Sequence, residues 1–162
     1  IEILLYLKNN GYIILNKETL LEGLRDAVWE GRFEVVCDKP LMIIDGAHNK
    51  EGIEAFYQSA KKYQNIKIIF SALRDKDTHA MIEKLLKLTD DVTVCEFDFY
   101  RAQSAEKLAE CVKLHNKNVQ AMSSIERAID NALADGCEAI IIFGSLSFLS
   151  EAYKFLGGET ID

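Results

Sequence analysis

Apolar residues along this chain change their spacing as it proceeds, and the changes outline its elements. Ile1, Leu4 and Leu5 repeat at helical spacing until Gly11, a residue suited to closing a helix. Asn16 can cap a second helix carrying Leu20, Leu21, Leu24 and Val28 on one side. The pattern then turns to short apolar runs. RFEVV and LMIID, separated by CDKP, read as a strand pair or a bent entry strand. From there helices and strands alternate. Ile53, Phe56, Tyr57, Ala60 and Tyr63 mark one helical face, and KIIFS follows as a strand. A helix starting near Thr78 carries Met81, Ile82, Leu85 and Leu86, VTVCEF is the next strand, and Ala105, Leu108, Ala109 and Val112 mark the next helix. After a short NVQA, Ser123 and Glu126 form a capping-box pattern ahead of Ile125, Ala128, Ile129 and Leu133. AIIIF is the last strand, and GSLSFLSEAYKFL the closing helix.

LMIID, KIIFS and AIIIF are near-continuous apolar runs, as expected of strands covered on both faces. Their alternation with helices predicts an α/β fold: a Rossmann-like open, mostly parallel sheet with helices on both faces. The strand order cannot be read from such runs.

The 162 residues, 49% of them apolar, suit one compact domain with a full-sized core. A formal charge of −7 and the lack of a basic cluster argue against a nucleic-acid partner. No apolar run approaches the ~20 residues of a membrane span, and no signal-peptide layout opens the chain. A soluble, cytoplasmic protein is expected. Cys37, Cys95, Cys111 and Cys137 form no C-x-x-C pair and read as buried thiols rather than disulfides or zinc ligands. The chain opens at Ile1 already in helical register and ends in GGETID, the layout expected of a piece of a longer polypeptide.

In open parallel sheets, ligands bind outside the carboxyl ends of the strands. That rule gathers Asp45, His48 and Asn49 after LMIID, Arg74, Asp75, Asp77 and His79 after KIIFS, Asp98 and Arg101 after VTVCEF, and Gly144, Ser145 and Ser147 after AIIIF. His115, following a helix, belongs on the opposite rim. Each has a structural alternative. Asp45, Asn49 and Ser145 can cap helices, Gly46 and Gly52 can relieve a tight turn, and Asp75 to Asp77 can be a solvated loop. Functionally, a carboxylate at a strand end can bind a ribose hydroxyl or an amine. A glycine–serine pair opening a helix offers N–H groups to an anion, and a nearby histidine can move a proton. Together these suggest a small ligand bearing both carboxylate and amine. The chain contains no G-x-G-x-x-G, no G-x-x-x-x-G-K-[ST] and no G-x-S-x-G. A standard dinucleotide enzyme and a common α/β-hydrolase are therefore disfavoured, and any ATP phosphates must be cradled elsewhere.

W-E-G-R-F-E (Trp29 to Glu34), followed by D-G-A-H-N (Asp45 to Asn49) and Gly52, resembles the carboxy-terminal domain of the folylpolyglutamate synthase family, within the Mur ligase superfamily. Some bacterial members also act as dihydrofolate synthase. RDKD, the YRA around Arg101 and FGSL fall where that family has similar segments, so the resemblance runs over nearly the whole chain. The cell-wall Mur ligases more often read D-Y-A-H-N at the turn, so Gly46 favours the folate branch.

The resemblance implies residues 1–30 as the helical tail of an ATPase domain with its linker, and residues 31–162 as the glutamate-ligase domain. The amino-terminal domain bearing the P-loop, the magnesium ligands and most of the folate pocket is absent from this chain, which alone is expected to be inactive. In such a ligase ATP phosphorylates a carboxylate of folate or dihydropteroate, and the amine of L-glutamate attacks the acyl phosphate. By that likeness Arg32 meets the phosphates of ATP and Asp45 its ribose side. His48 and Ser145 hold glutamate, with His48 as the catalytic candidate. The implied enzyme is a cytoplasmic monomer using ATP and Mg, without nucleic-acid or membrane partners. Trp29-Glu30-Gly31 departs from the W-P-G common in the family. The alternatives are a stand-alone small-molecule-binding module and the equivalent domain of a Mur-type cell-wall ligase.

Overall fold

A computed structural model describes residues 1–115 and 118–157. Two helices lead, α1 (Glu2–Asn9) and α2 (Lys17–Asp26), with the Asn16 side chain accepting from Thr19 N at 2.7 Å as the α2 cap. Neither helix buries a residue, and no residue before Gly31 is buried. Val28 lies beyond the end of α2, so its helical spacing with Leu24 is coincidental.

The RFEVV and LMIID segments form an antiparallel hairpin of β1 (Glu34–Asp38) and β2 (Leu41–Asp45), with a cis Lys39–Pro40 bond at the turn. Alternation follows through α3 (Lys50–Ala60), β3 (Ile66–Ser71), α4 (Thr78–Leu85), β4 (Val92–Cys95), α5 (Ala105–Lys113), β5 (Val119–Met122), α6 (Ile125–Ala134), β6 (Ala139–Gly144) and α7 (Leu146–Phe155). The sheet order is β1-β2-β6-β3-β4-β5, parallel throughout except for the β1–β2 pair. The expected α/β architecture is present.

Strand side chains alternate between the two faces, and the core divides accordingly. Ile43, Ile68, Phe70, Ile141 and Phe143 pack with residues of α3, α4 and α5, including Phe56, Ile82 and Leu108. Met42, Ile44, Ile69, Ile140 and Ile142 pack with α6 and α7, including Ile129, Phe148 and Ala152. β6 has every residue buried because it lies mid-sheet with helices on both faces. β5, at the edge opposite β1, is only partly covered, which is why VQAM lacks an apolar run.

Three expectations are corrected. The α6 cap is Ser124, whose Oγ faces Arg127 N at 3.5 Å, rather than Ser123 in a box with Glu126. The helix therefore starts one residue later, and its buried face takes Ala132 while Leu133 is 43% exposed. Of the four free cysteines only Cys95 is buried; the other three are half-buried. Among the described residues, no helix is long and apolar enough to cross a membrane.

The topology locates a crevice. β2 and β6 are parallel neighbours, yet β2 runs on into α3 on one face and β6 into α7 on the other. Diverging connections at adjacent strand ends mark the usual ligand position in open α/β sheets.

Candidate functional site

At the end of β2 the chain reads Asp45-Gly46-Ala47-His48 before Asn49, whose side chain accepts from Gly52 N at 2.8 Å and caps α3. Asn49 thus has the capping role, and Asp45 has another. Asp45 is 5% exposed, its Oδ1 accepting from Ala47 N at 2.7 Å and its Oδ2 from Phe33 N at 2.9 Å. One carboxylate ties the turn after β2 to the turn before β1. Gly46 N adds a second tie by donating to the Gly31 carbonyl at 2.7 Å. A Cβ at Gly46 would stand 2.6 Å from Leu146 Cδ2 and 3.0 Å from Arg32 Nη1, so a larger residue there would displace these two side-chain ends, the Arg32 guanidinium among them.

The Trp29–Glu34 turn presents Arg32. Its guanidinium stacks over the Trp29 ring at 5.8 Å from the centroid, and its side of the turn is open to solvent. Phe33 has φ +47°, a left-handed conformation unusual for a bulky residue. The Asp45 bond to its N–H and contacts of its ring with Phe56 and Tyr63 hold it there.

His48 Nδ1 lies 2.8 Å from the Gly46 carbonyl. A carbonyl only accepts, so Nδ1 carries the proton, and in the neutral ring Nε2 is left with a lone pair. Arg32, Asp45 and His48 line one cavity of about 430 Å³, together with Phe33, Asn49 and Phe56. Ser145 does not join them on its wall. It is 6% exposed on the neighbouring strand end, where its Oγ faces Phe148 N at 3.3 Å as the α7 cap.

Burial pushes the Asp45 carboxyl above its ordinary value of 3.8, outweighing the hydrogen bonds from Ala47 and Phe33 and the charge of Arg32. Between 3.8 and that raised value the native state holds more proton than the unfolded one. The Asp45 contribution to stability is therefore largest below this window, falls as pH rises through it, and is flat above. Urea melts across the acid range should show this decline for the native chain and lose it in Asp45→Asn.

The other strand-end residues form a separate group. Arg101 Nη2 pairs with Asp75 Oδ2 at 2.6 Å, Arg74 Nε donates to Ala102 O at 2.8 Å, and Leu73 bridges to Ala102. RDKD is thereby strapped to the YRA segment instead of being a free solvated loop. Asp77 caps α4 through Ala80 N at 3.1 Å, and exposed His79 sits 3.7 Å from Cys111 Sγ. Asp98 N donates to Glu151 Oε1 at 2.8 Å, and His115 lies past α5 on the opposite rim. Among the described residues, no group of three His, Cys, Asp or Glu could hold a metal ion.

Sequence reasoning missed Tyr153 and the task of Glu34. Glu34 Oε2 accepts from Gly31 N at 2.7 Å and from the Tyr153 hydroxyl, and Gly31 N also faces that hydroxyl at 3.2 Å. Burial first, then the Glu34 carboxylate, raises the Tyr153 phenol so that it stays a donor. The only hint in the sequence is a tyrosine on a buried helical face, where a hydroxyl needs a partner.

The model of the family "Mur ligase, glutamate ligase domain" matches residues 31–146. A dihydrofolate synthase/folylpolyglutamate synthase of Bacillus subtilis is 34% identical over 146 residues, covering 88% of this chain and 34% of its own. The chain thus spans about a third of the length of that relative. Among solved structures, a bifunctional folylpolyglutamate synthase/dihydrofolate synthase of Yersinia pestis superposes with a TM-score of 0.83 at 26% identity, covering 94% of this chain and 37% of that one. A Mycobacterium tuberculosis folylpolyglutamate synthase complexed with ADP and AMPPCP shares the fold with a TM-score of 0.82 at 23% identity, covering 95% of this chain and 38% of that one.

Proposed function

The chain belongs to the Mur ligase, glutamate ligase domain family, and from that premise we propose that it is the carboxy-terminal, glutamate-presenting domain of an ATP-dependent folate–glutamate ligase. The reaction joins L-glutamate to tetrahydrofolate, dihydropteroate or both through an acyl phosphate. The observation that carries this reading is the meeting of Arg32, Asp45 and His48 around one cavity between the turn before β1, the end of β2 and the start of α3.

Arg32 supplies a solvent-facing guanidinium whose fork suits phosphate oxygens. Asp45 faces the ribose side of the nucleotide while its hydrogen bonds hold the Arg32 turn. His48 Nε2 accepts a hydrogen bond from the amine of glutamate and takes its proton as the amine attacks. Ser145 holds glutamate from the adjacent strand end, through the start of α7 and its N–H dipoles. Cavity size, the donor set and the apolar Phe33 and Phe56 walls fit a nucleotide edge. Mg is held by the ATPase domain.

Residues 1–30 belong to that ATPase domain and its linker. The support is that burial begins at Gly31, where the family match also begins, and that Ile3, Tyr6, Tyr12, Ile14 and Trp29 are all more than half exposed. Closure of the ATPase domain over the cavity at the end of β2 then excludes water from the acyl phosphate. The assembled ligase is a cytoplasmic monomer.

The test is ligation by the polypeptide that carries this domain together with its ATPase domain. Glutamate-dependent phosphate release with tetrahydrofolate or dihydropteroate is expected, and none with muramyl substrates. Turnover of muramyl substrates alone would move the domain to the cell-wall branch. Turnover of neither class would leave a binding module.

A further inference from the structure

We infer that Tyr153 and Glu34 are positioning residues for nucleotide use, fixing the turn that presents Arg32 by seating it on α7. The inference rests on the phosphate role proposed for Arg32. Gly31, immediately before Arg32, is buried, and its N–H is held at 2.7 Å by Glu34 Oε2. That same oxygen accepts from Tyr153, which is 7% exposed and projects from the last turn of α7. Tyr153 is itself packed within the core between the sheet, α6 and α7. The turn is therefore tied to the fold at three points. Tyr153 and Glu34 hold Gly31 N, Asp45 holds Phe33 N, and Gly46 N holds Gly31 O.

Arg32 stands between the Gly31 and Phe33 ties, and its guanidinium meets the Trp29 ring and the charge of Asp45. A long side chain aimed from a loose turn loses alignment with a phosphate, and alignment governs how much binding energy a guanidinium delivers. Phe33 makes the dependence sharper. Its left-handed φ of +47° persists only while the surrounding bonds over-determine it. Releasing Gly31 removes one of those constraints, and the turn can relax toward an ordinary conformation in which Arg32 points elsewhere. Two of these ties run through Asp45 and Gly46, and the Gly46 carbonyl faces His48 Nδ1, whereas the tie of Gly31 N to Glu34 and Tyr153 touches no residue on the His48 side of the cavity. Loosening that one tie should therefore disturb nucleotide and not glutamate.

The experiment combines two readouts. In this chain, amide hydrogen exchange at Gly31 and Phe33 should accelerate about tenfold in Tyr153→Phe and further in Glu34→Ala, while core amides of β2 and β6 stay within about twofold. Glu34→Gln keeps a carbonyl acceptor and should restore most of the protection. In the ligase containing this domain, Tyr153→Phe and Glu34→Ala should each raise KM for ATP about tenfold or more with KM for glutamate within about twofold, and Glu34→Gln should keep KM for ATP close to that of the native ligase. Unchanged exchange at Gly31 and Phe33 would overturn the inference. So would equal rises in both KM values, which would mark a structural effect alone. Arg32→Ala is the control for the underlying reading. If it leaves KM for ATP unchanged while the exchange effects persist, the phosphate role of Arg32 fails and the tie between α7 and the turn stands.

Discussion

Replacing Gly144 with alanine is expected to lower the unfolding free energy by about 4 kcal/mol, a fall in midpoint of about 10 °C for a chain of this size. Gly144 ends β6 with φ +154°, and a Cβ there would lie 2.2 Å from the Ser71 backbone oxygen and 3.1 Å from Phe148 Cδ1. The first clash is with backbone that cannot swing aside. Gly144 and Ser71 are register partners at the carboxyl end of the β6–β3 ladder, and Ser71 Oγ in turn donates to Cys95 O at 2.7 Å. Relief requires parting two central strands at the rim that forms the crevice. Urea unfolding of the variant checks this, and a loss under about 1 kcal/mol would mean the rim can shift far more easily than its bonds suggest.

The second large effect is at Asp45. Family resemblance alone treats it as a ligand contact that could be removed with little loss of fold stability. Its two buried hydrogen bonds argue otherwise. Asp45→Ala strands Phe33 N and Ala47 N and frees the strained Phe33 turn, against some gain from removing a desolvated charge. With hydrogen bonds to a charged group at about 1.5–3 kcal/mol each and that partial offset, the expected net loss is about 3 kcal/mol. Asp45→Asn offers one acceptor where two are needed and should lose about half as much. Melts of both variants, beside KM for ATP in the intact ligase, separate a fold effect from a nucleotide effect. Full stability in Asp45→Ala would return the residue to a purely ligand-facing role.

The fold was legible where local chemistry and burial agree. KIIFS and AIIIF are buried on both faces, and Asn16, Asn49 and Ser145 cap their helices because short polar side chains at those positions reach the free N–H groups. Non-local facts were hidden. The last strand, β6, lies between β2 and β3, and nothing in AIIIF says so. VQAM pairs only at one edge, so its strand is carried by backbone bonds rather than by apolar side chains. Ser123 and Ser124 are chemically equivalent, and the register of α6 on the sheet chooses between them. At the site, Asp45 and His48 could be gathered by the strand-end rule, and Arg32 entered only through the family resemblance. That Asp45 looks back to Phe33, and that Tyr153 reaches Glu34 across 119 positions, depends on tertiary packing that no short motif records.

The central claim is that the Arg32 side of the cavity at the end of β2 serves nucleotide and its His48 side serves glutamate. It is tested most directly by paired steady-state kinetics of Arg32→Ala and His48→Ala in the ligase that contains this domain. Arg32→Ala is expected to raise KM for ATP by at least about tenfold with KM for glutamate within about twofold, and His48→Ala is expected to do the reverse. Parallel changes in both constants for both variants, or no change in either, would contradict the account.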